Sequence, residues 1–397
     1  MAEFYFNPWD PQFRADPYPA YRVLVEAPPR LMNFGATIAI AARYVDVAAV
    51  LSDHQHFTAV RPPDLPIARR GPFAGAATML TSDPPVHTRL RRLVSRDFTP
   101  RRINDLGPRI RQIAAGLVDG IAARGGEFDL VSELANPLPV TVIAELLGVP
   151  PGNYDEFKLW SDAVVAGAAR TQPWEEPPPE FLEAVAKLRG YFAEEIEKRR
   201  RAPGSDLISA LVAAHDDEAL NSEELLAFVV LLLLAGNETT TNLIGNGMLA
   251  LARNPEQLEL LRREPELIGG AIEEIIRYDG PVQGTARFTT EPVNLGGAEL
   301  PVSVPIFLLI GAANRDPAKF PAPEKFDITR DPNEHLGFGT GIHFCLGAPL
   351  ARLEGAIAIN AMLARFPRLR LADPDAPLSY KGSFFLRGLS ALRMRID

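Results

Sequence analysis

The run from Asn221 to Pro255, NSEELLAFVVLLLLAGNETTTNLIGNGMLALARNP, limits what this chain can become more than any other stretch. Asn221 followed by Glu224 makes a capping-box pattern, and the residues beyond it are apolar on nearly every helical face. Such a helix must run through the middle of a protein, with other elements laid against it. Its apolar core, Leu225 to Gly236, is too short to cross a bilayer, which takes roughly 20 residues. Inside the helix sits AGNETT, Ala235 to Thr240. A glycine weakens a helix, and a buried carboxylate needs partners, so this interruption is costly. One account is purely structural: Glu238 faces a water pocket and Thr239 bonds back to the carbonyl four residues earlier, bending the helix. The other is functional: Ala235 and Thr239 share a face at i, i+4, and two small residues there leave room for a ligand.

The second constraint is the only cysteine, Cys345, in FGTGIHFCLGAPLAR (Phe338 to Arg352). It has no partner for an intramolecular disulfide, a zinc cage or a CxxC pair. A lone buried cysteine is ordinarily a small hydrophobe, but these surroundings say otherwise. Gly339, Gly341 and Gly347 bracket the sulfur and let the backbone approach something flat and bulky. The residues from Leu350 onward have a helical pattern, so Cys345 stands just ahead of a helix N-terminus. There the helix field and free N–H groups favour thiolate. A thiolate held by amides, with clearance beside it, is suited to ligate iron.

FGTGIHFCLGAPLAR resembles the cysteine loop of the cytochrome P450 family, with Phe338, Gly339, Gly341, His343, Cys345, Gly347, Leu350, Ala351 and Arg352 at the family's positions. AGNETT is similar to the family's oxygen-activation segment. The resemblance implies one mostly α domain with small β-sheets over residues 1–397. It implies haem b as cofactor, with Cys345 as the iron ligand and Phe338, Gly339, His343 and Gly347 around it. Ala235 and Gly236 would lie over the macrocycle, leaving room for O2. Glu238 and Thr239 are carried over as the catalytic proton relay; Asn237 occupies the variable position.

Other segments match in chain order. Tyr44 to Leu51 reads as a short helix, with a strand pair around Leu31 and Ile38 to Ala41. Arg61 to Gly75 is rich in Pro and Gly and reads as an irregular loop, which the family places over the substrate. In DPPVHTRLRRLVSRDFTP, His87 and Arg91 lie on one helical face and Arg89, Arg92 and Arg96 on another. The resemblance makes His87, Arg91 and Arg287 propionate contacts, together with His343. The other arginine face suits an acidic ferredoxin-type electron donor. Ile110 to Leu134 and Val140 to Gly148 have helical periodicity. Two further helices, around Trp160 to Ala169 and Glu180 to Arg201, flank TQPWEEPPP and correspond to the family's lid. Glu274 and Arg277 form an ExxR pair with a structural role, joined by Lys325 or Arg330. Leu232, Val282, Gln283, Phe384 and Phe385 are the expected substrate contacts, and short strands follow Arg287 and the cysteine helix.

Composition agrees. Apolar residues make up 47% and charged residues 23%, as in a soluble protein with a large core. A net charge of −9 argues against a general nucleic-acid binder. The N-terminal MAEFYFNPWDPQF carries no apolar leader, and the expectation is a cytoplasmic monomer with no membrane anchor. No GxGxxG follows a strand, so electrons must come from a separate ferredoxin and reductase. The reaction expected is insertion of one oxygen atom into a hydrophobic organic small molecule. The alternative is a non-catalytic haem-binding or sensor protein, for which the acid–threonine pair has no use.

Overall fold

The computed structural model describes residues 6–8, 10–63, 73, 75–170, 176–204, 206–213, 220–381 and 385–396. Its axis is one helix of 32 residues, Ser222–Arg253. The capping box closes at its start: Glu224 N–H donates to Asn221 Oδ1 at 2.9 Å, and Asn221 N–H donates to Glu224 Oε2 at 3.0 Å. The helix extends well beyond the apolar run, so by length and composition it could cross a membrane. Most of it is instead buried inside the fold. Helices Pro137–Leu146, Ile268–Asp279 and Ala348–Arg365 pack against it. Each fully buried Leu or Ile side chain at these contacts contributes roughly 1.5–3 kcal/mol.

The β-structure is peripheral. Five short strands form one sheet in the spatial order Arg30–Asn33, Thr37–Ala41, Pro305–Leu308, Thr285–Thr289, Phe57–Thr58. Only the second and third are parallel. A three-stranded sheet joins Gly126–Asp129, Arg393–Ile396 and Arg370–Leu371.

One helical expectation fails. The segment from Ile110 to Leu134 is not continuous helix: Gly107–Arg124 ends at Gly125 and Gly126, with φ of 65° and 68°, and the chain turns into the strand Gly126–Asp129. A left-handed pair of glycines stops a helix whatever the apolar periodicity beyond it. The substrate-covering loop (64–72 and 74) and part of the expected lid connection (171–175) lie outside the described residues.

The ExxR pair is fully buried, with both side chains 0% exposed. Arg277 Nε and Nη2 each donate to Glu274 at 2.8 Å, and Arg277 also reaches the carbonyls of Asn314, Pro323 and Lys325. The third side chain is Arg330, whose Nε lies 3.2 Å from Glu274 Oε2; Lys325 turns away to Asp327. Asn333 Nδ2 and the Asp327 N–H complete the carboxylate's partners. Removing one member of such a pair strands the other charge in the core. Glu274→Ala should therefore lower the unfolding free energy by roughly 3–5 kcal/mol in chemical denaturation. A loss below about 1 kcal/mol would contradict a structural role for this network.

Candidate active site

Between the central helix and the cysteine loop lies a cavity of about 330 Å³. Ala235, Gly236 and Thr239 line one wall; Phe338, Gly339, Cys345 and Gly347 line the other. The chain places them there by local geometry. Cys345 N–H donates to Phe338 O at 2.9 Å, closing the loop on itself, and the helix Ala348–Arg365 begins three residues later. Gly341 has φ of 67°, and a methyl group on it would lie 2.8 Å from Leu51 O. Only glycine lets the loop dock on the helix Tyr44–Ser52.

The thiol behaves differently from the expectation that a helix N-terminus alone would make it a thiolate. Burial pushes it above its ordinary value. The N–H of Gly347, the Arg91 guanidinium, the N–H of Ala348 and Arg352 pull the other way without prevailing. The desolvation cost of a buried anion exceeds what these dipoles and cations return, so a bound metal ion must supply the rest.

At one end of the cavity four donors converge. Arg91, Arg287 and His343 line it, and the buried His87 ring stands edge-on to His343 with centroids 4.5 Å apart. His87 Nε2 and His343 Nε2 are buried without a hydrogen-bond partner among the described residues. Burial first, then Arg287 and His87, pushes His343 down to about 4; burial and Arg91 lower His87 as well. Asp83, 3.8 Å from His343, is the nearby carboxylate, and it already accepts from Thr58 and the Ala59 N–H. Two guanidiniums and two orphaned imidazole nitrogens form a donor set that fits a dianion. Haem b, a flat macrocycle with two propionates and an iron that can bind sulfur, would fit both this end and the cysteine wall.

Glu238 and Thr239 do not act from the same wall. Thr239 faces the cavity and its hydroxyl donates to Ala235 O at 2.6 Å, so the back-bonded geometry and the cavity-facing position coexist. Glu238 is buried and points away from the cavity; burial raises its pKa against the weaker pull of Lys381 and Asn242.

Leu232 and Val282 line the cavity. Gln283 does not: it is buried against Tyr21 Oη (3.1 Å) and donates to Gly280 O at 2.8 Å. Extended backbone sends consecutive side chains to opposite faces, so with Val282 inward Gln283 faces outward. Phe385 also misses the cavity and packs edge-on against Phe307. Phe384 lies outside the described residues. Arg89 is likewise not a free surface cation, because Glu224 of the capping box holds it.

Sequence reasoning missed two acids. Glu354 lines the cavity beside Thr240, and complete burial pushes it up to about 8, so it keeps its proton at neutral pH. Its signal was an acid in the otherwise apolar LEGAIAI, the same anomaly that marks Glu238. Glu273 was passed over for its neighbour Glu274. It holds Arg352 through contacts of 2.7 and 2.8 Å and His335 at 3.1 Å, and Arg352 stacks over Phe338 at 4.4 Å. The cysteine loop is thus tied to the helix Ile268–Asp279.

Comparison with known proteins agrees with this geometry. The family model described as Cytochrome P450 matches residues 29–388. The chain is 44% identical over 393 residues to cytochrome P450 monooxygenase PikC of Streptomyces venezuelae, covering 96% of this chain and 92% of that protein. It is 42% identical to mycinamicin IV hydroxylase/epoxidase of Micromonospora griseorubida, covering 89% and 88%. The solved structure of the Bacillus subtilis 168 bacillaene polyketide synthase cytochrome P450 PksS superposes with a TM-score of 0.89 at 38% identity, over 99% of this chain and 100% of that one.

The Glu273 cluster makes a pH prediction. Burial works to raise Glu273, but Arg352 and His335 overcome it and bring it from an ordinary 4.5 down to about 2. A depressed carboxylate stabilises the fold above its unfolded-state value, and that contribution is lost as pH falls. Unfolding free energy should therefore decline between about pH 4.5 and 2, and Glu273→Gln should flatten that decline. An equally steep acid limb in the variant would count against the tie.

Proposed function

The chain belongs to the cytochrome P450 family and is a haem-dependent monooxygenase, and from that premise we propose that Cys345 is the thiolate ligand of haem b and that the substrate is a large apolar molecule of the polyketide type. The observation that carries the site assignment is the facing of Cys345 and Thr239 across one cavity, with four propionate-type donors at its end. The bound haem supplies dioxygen binding and oxygen transfer. In the overall reaction a substrate C–H bond and O2, with two electrons and two protons, become C–OH and water.

The residues of the chain divide the remaining work. His87, Arg91, Arg287 and His343 hold the propionates, while Phe338, Gly339 and Gly347 clear the face on the cysteine side. Ala235 and Gly236 keep the opposite face open. Thr239, its own proton directed to Ala235 O, presents lone pairs to the cavity and orients a proton-donating water. Glu238, pushed by burial toward its protonated form, refills that water. Glu354 is a second acid that holds a proton at the cavity wall.

Leu232 and Val282 give the substrate an apolar surface, as do Phe98 and Ile143, also on the cavity wall. Relatives whose names refer to mycinamicin and to a bacillaene polyketide synthase support a polyketide, for which macrolactones serve as the probe. Titration with macrolactones should therefore shift the haem spin state. With a macrolactone that binds, Thr239→Ala should keep consuming electrons while product per electron pair falls by roughly tenfold or more. Wild-type coupling in that variant would remove the relay, and a spin shift with fatty acids alone would remove the polyketide assignment.

Electrons come from a separate acidic ferredoxin. Arg89 is held by Glu224, and the exposed Arg96 is the docking cation on that helix. Arg96→Glu should slow reduction at low salt, and the difference should shrink as salt rises. A reduction rate unchanged across the salt range would remove this docking face.

A further inference from the structure

A second polar feature of the central helix takes no part in the cavity. Glu238, Asn242 and Asn246 recur every fourth residue, so their side chains lie along one face. They are 5%, 1% and 0% exposed. Glu238 Oε1, both carboxamide atoms of Asn242 and Asn246 Oδ1 have no hydrogen-bond partner among the described residues. Buried polar atoms without protein partners are uncommon, and clusters of them are where ordered water binds.

None of the three residues lines the main cavity. The stripe faces the C-terminal segment in which Tyr380 pairs antiparallel with Leu389. Gly388 lies so close that a methyl group on it would stand 1.8 Å from Asn242 Oδ1. Gly388 O accepts from the Lys381 N–H at 2.9 Å, and Arg387 O accepts from Asn246 Nδ2 at 3.1 Å. Lys381 is also the cation whose field reaches Glu238. On its outer side, Lys381 joins Arg387, Tyr380 and Gln283 around a separate hollow of about 20 Å³, room for about one water molecule. Lys381, Arg387 and Gly388 therefore connect the orphaned stripe with a water-sized hollow.

We propose that protons reach Glu238 from the side of Lys381 and Gly388, along water bridging Glu238, Asn242 and Asn246, with Lys381 as a positioning residue that sets the charge balance on Glu238. The proposal rests on the reading of Glu238 as a proton relay. Each passage is balanced: Glu238 gives its proton toward Thr239, and the resulting carboxylate takes one from the file water, which is refilled from outside. The field of Lys381 makes the transient carboxylate easier to form, so without it Glu238 holds its proton more tightly and releases it more slowly.

The test is infrared spectroscopy of the haem-loaded protein, with Glu238→Gln identifying the Glu238 carboxyl band. In Lys381→Gln the titration midpoint of that band should move upward, and Lys381→Arg should restore it. A midpoint unmoved in Lys381→Gln overturns the role of Lys381. After transfer to D2O, Asn242→Leu should slow the isotope shift of the Glu238 band severalfold, because it interrupts the file without touching Lys381. Exchange at the wild-type rate overturns the route. These readouts follow Glu238 alone: full coupling in Glu238→Gln would remove the relay reading yet leave exchange and titration in place, so the two failures are distinguishable.

Discussion

Burying a 32-residue helix on nearly all sides is the condition from which the rest of the molecule follows. A helix of that composition gains stability only when other helices cover it, and the cysteine helix and the ExxR helix are two of those that do. One follows the cysteine loop and the other ties that loop down through Glu273 and Arg352, so covering the core also positions the cavity wall. The same packing that excludes water makes every polar group in the middle of the helix expensive. Glu238, Thr239, Asn242 and Asn246 are therefore held where they either face the cavity or meet one another along one stripe.

Burial also sets the electrostatics. It pushes the Cys345 thiol up, drives His343 down to about 4 and raises Glu354 to about 8. These directions share one cause, the cost of charge in a dry interior. Each group is thereby kept neutral until a charged partner arrives. A cofactor that carries both a cation and two carboxylates answers the needs of the sulfur and of the donor cluster together. The stable charges lie elsewhere, in Glu274–Arg277–Arg330 and Glu273–Arg352, where every carboxylate has a guanidinium partner.

Much of this was legible in the sequence because the informative patterns are local. The capping box at Asn221, the glycines around Cys345, the ExxR pair and the acid–alcohol anomaly in an apolar helix each fit within a few residues. What failed depended on facing. Gln283 sits next to the cavity residue Val282 in sequence but turns to Tyr21 and Gly280, and Phe385 packs against Phe307. A helical wheel grouped Arg89 with Arg92 and Arg96, yet no wheel shows that Glu224 of another helix stands at its edge. The choice of Arg330 over Lys325 also required the fold, since either cation could have reached Glu274 along the chain. The helix expected through Leu134 broke at Gly125 and Gly126 because apolar periodicity does not register two left-handed residues.

The central claim is that Cys345, neutral when nothing binds beside it, becomes the thiolate ligand of haem b. The most direct measurement is the absorption spectrum of the dithionite-reduced protein with carbon monoxide, taken on wild type and Cys345→Ala. The account predicts a strongly red-shifted Soret band in the wild type and its loss in the variant. A band at the position of histidine-ligated haem, or a red-shifted band that survives in Cys345→Ala, would contradict it.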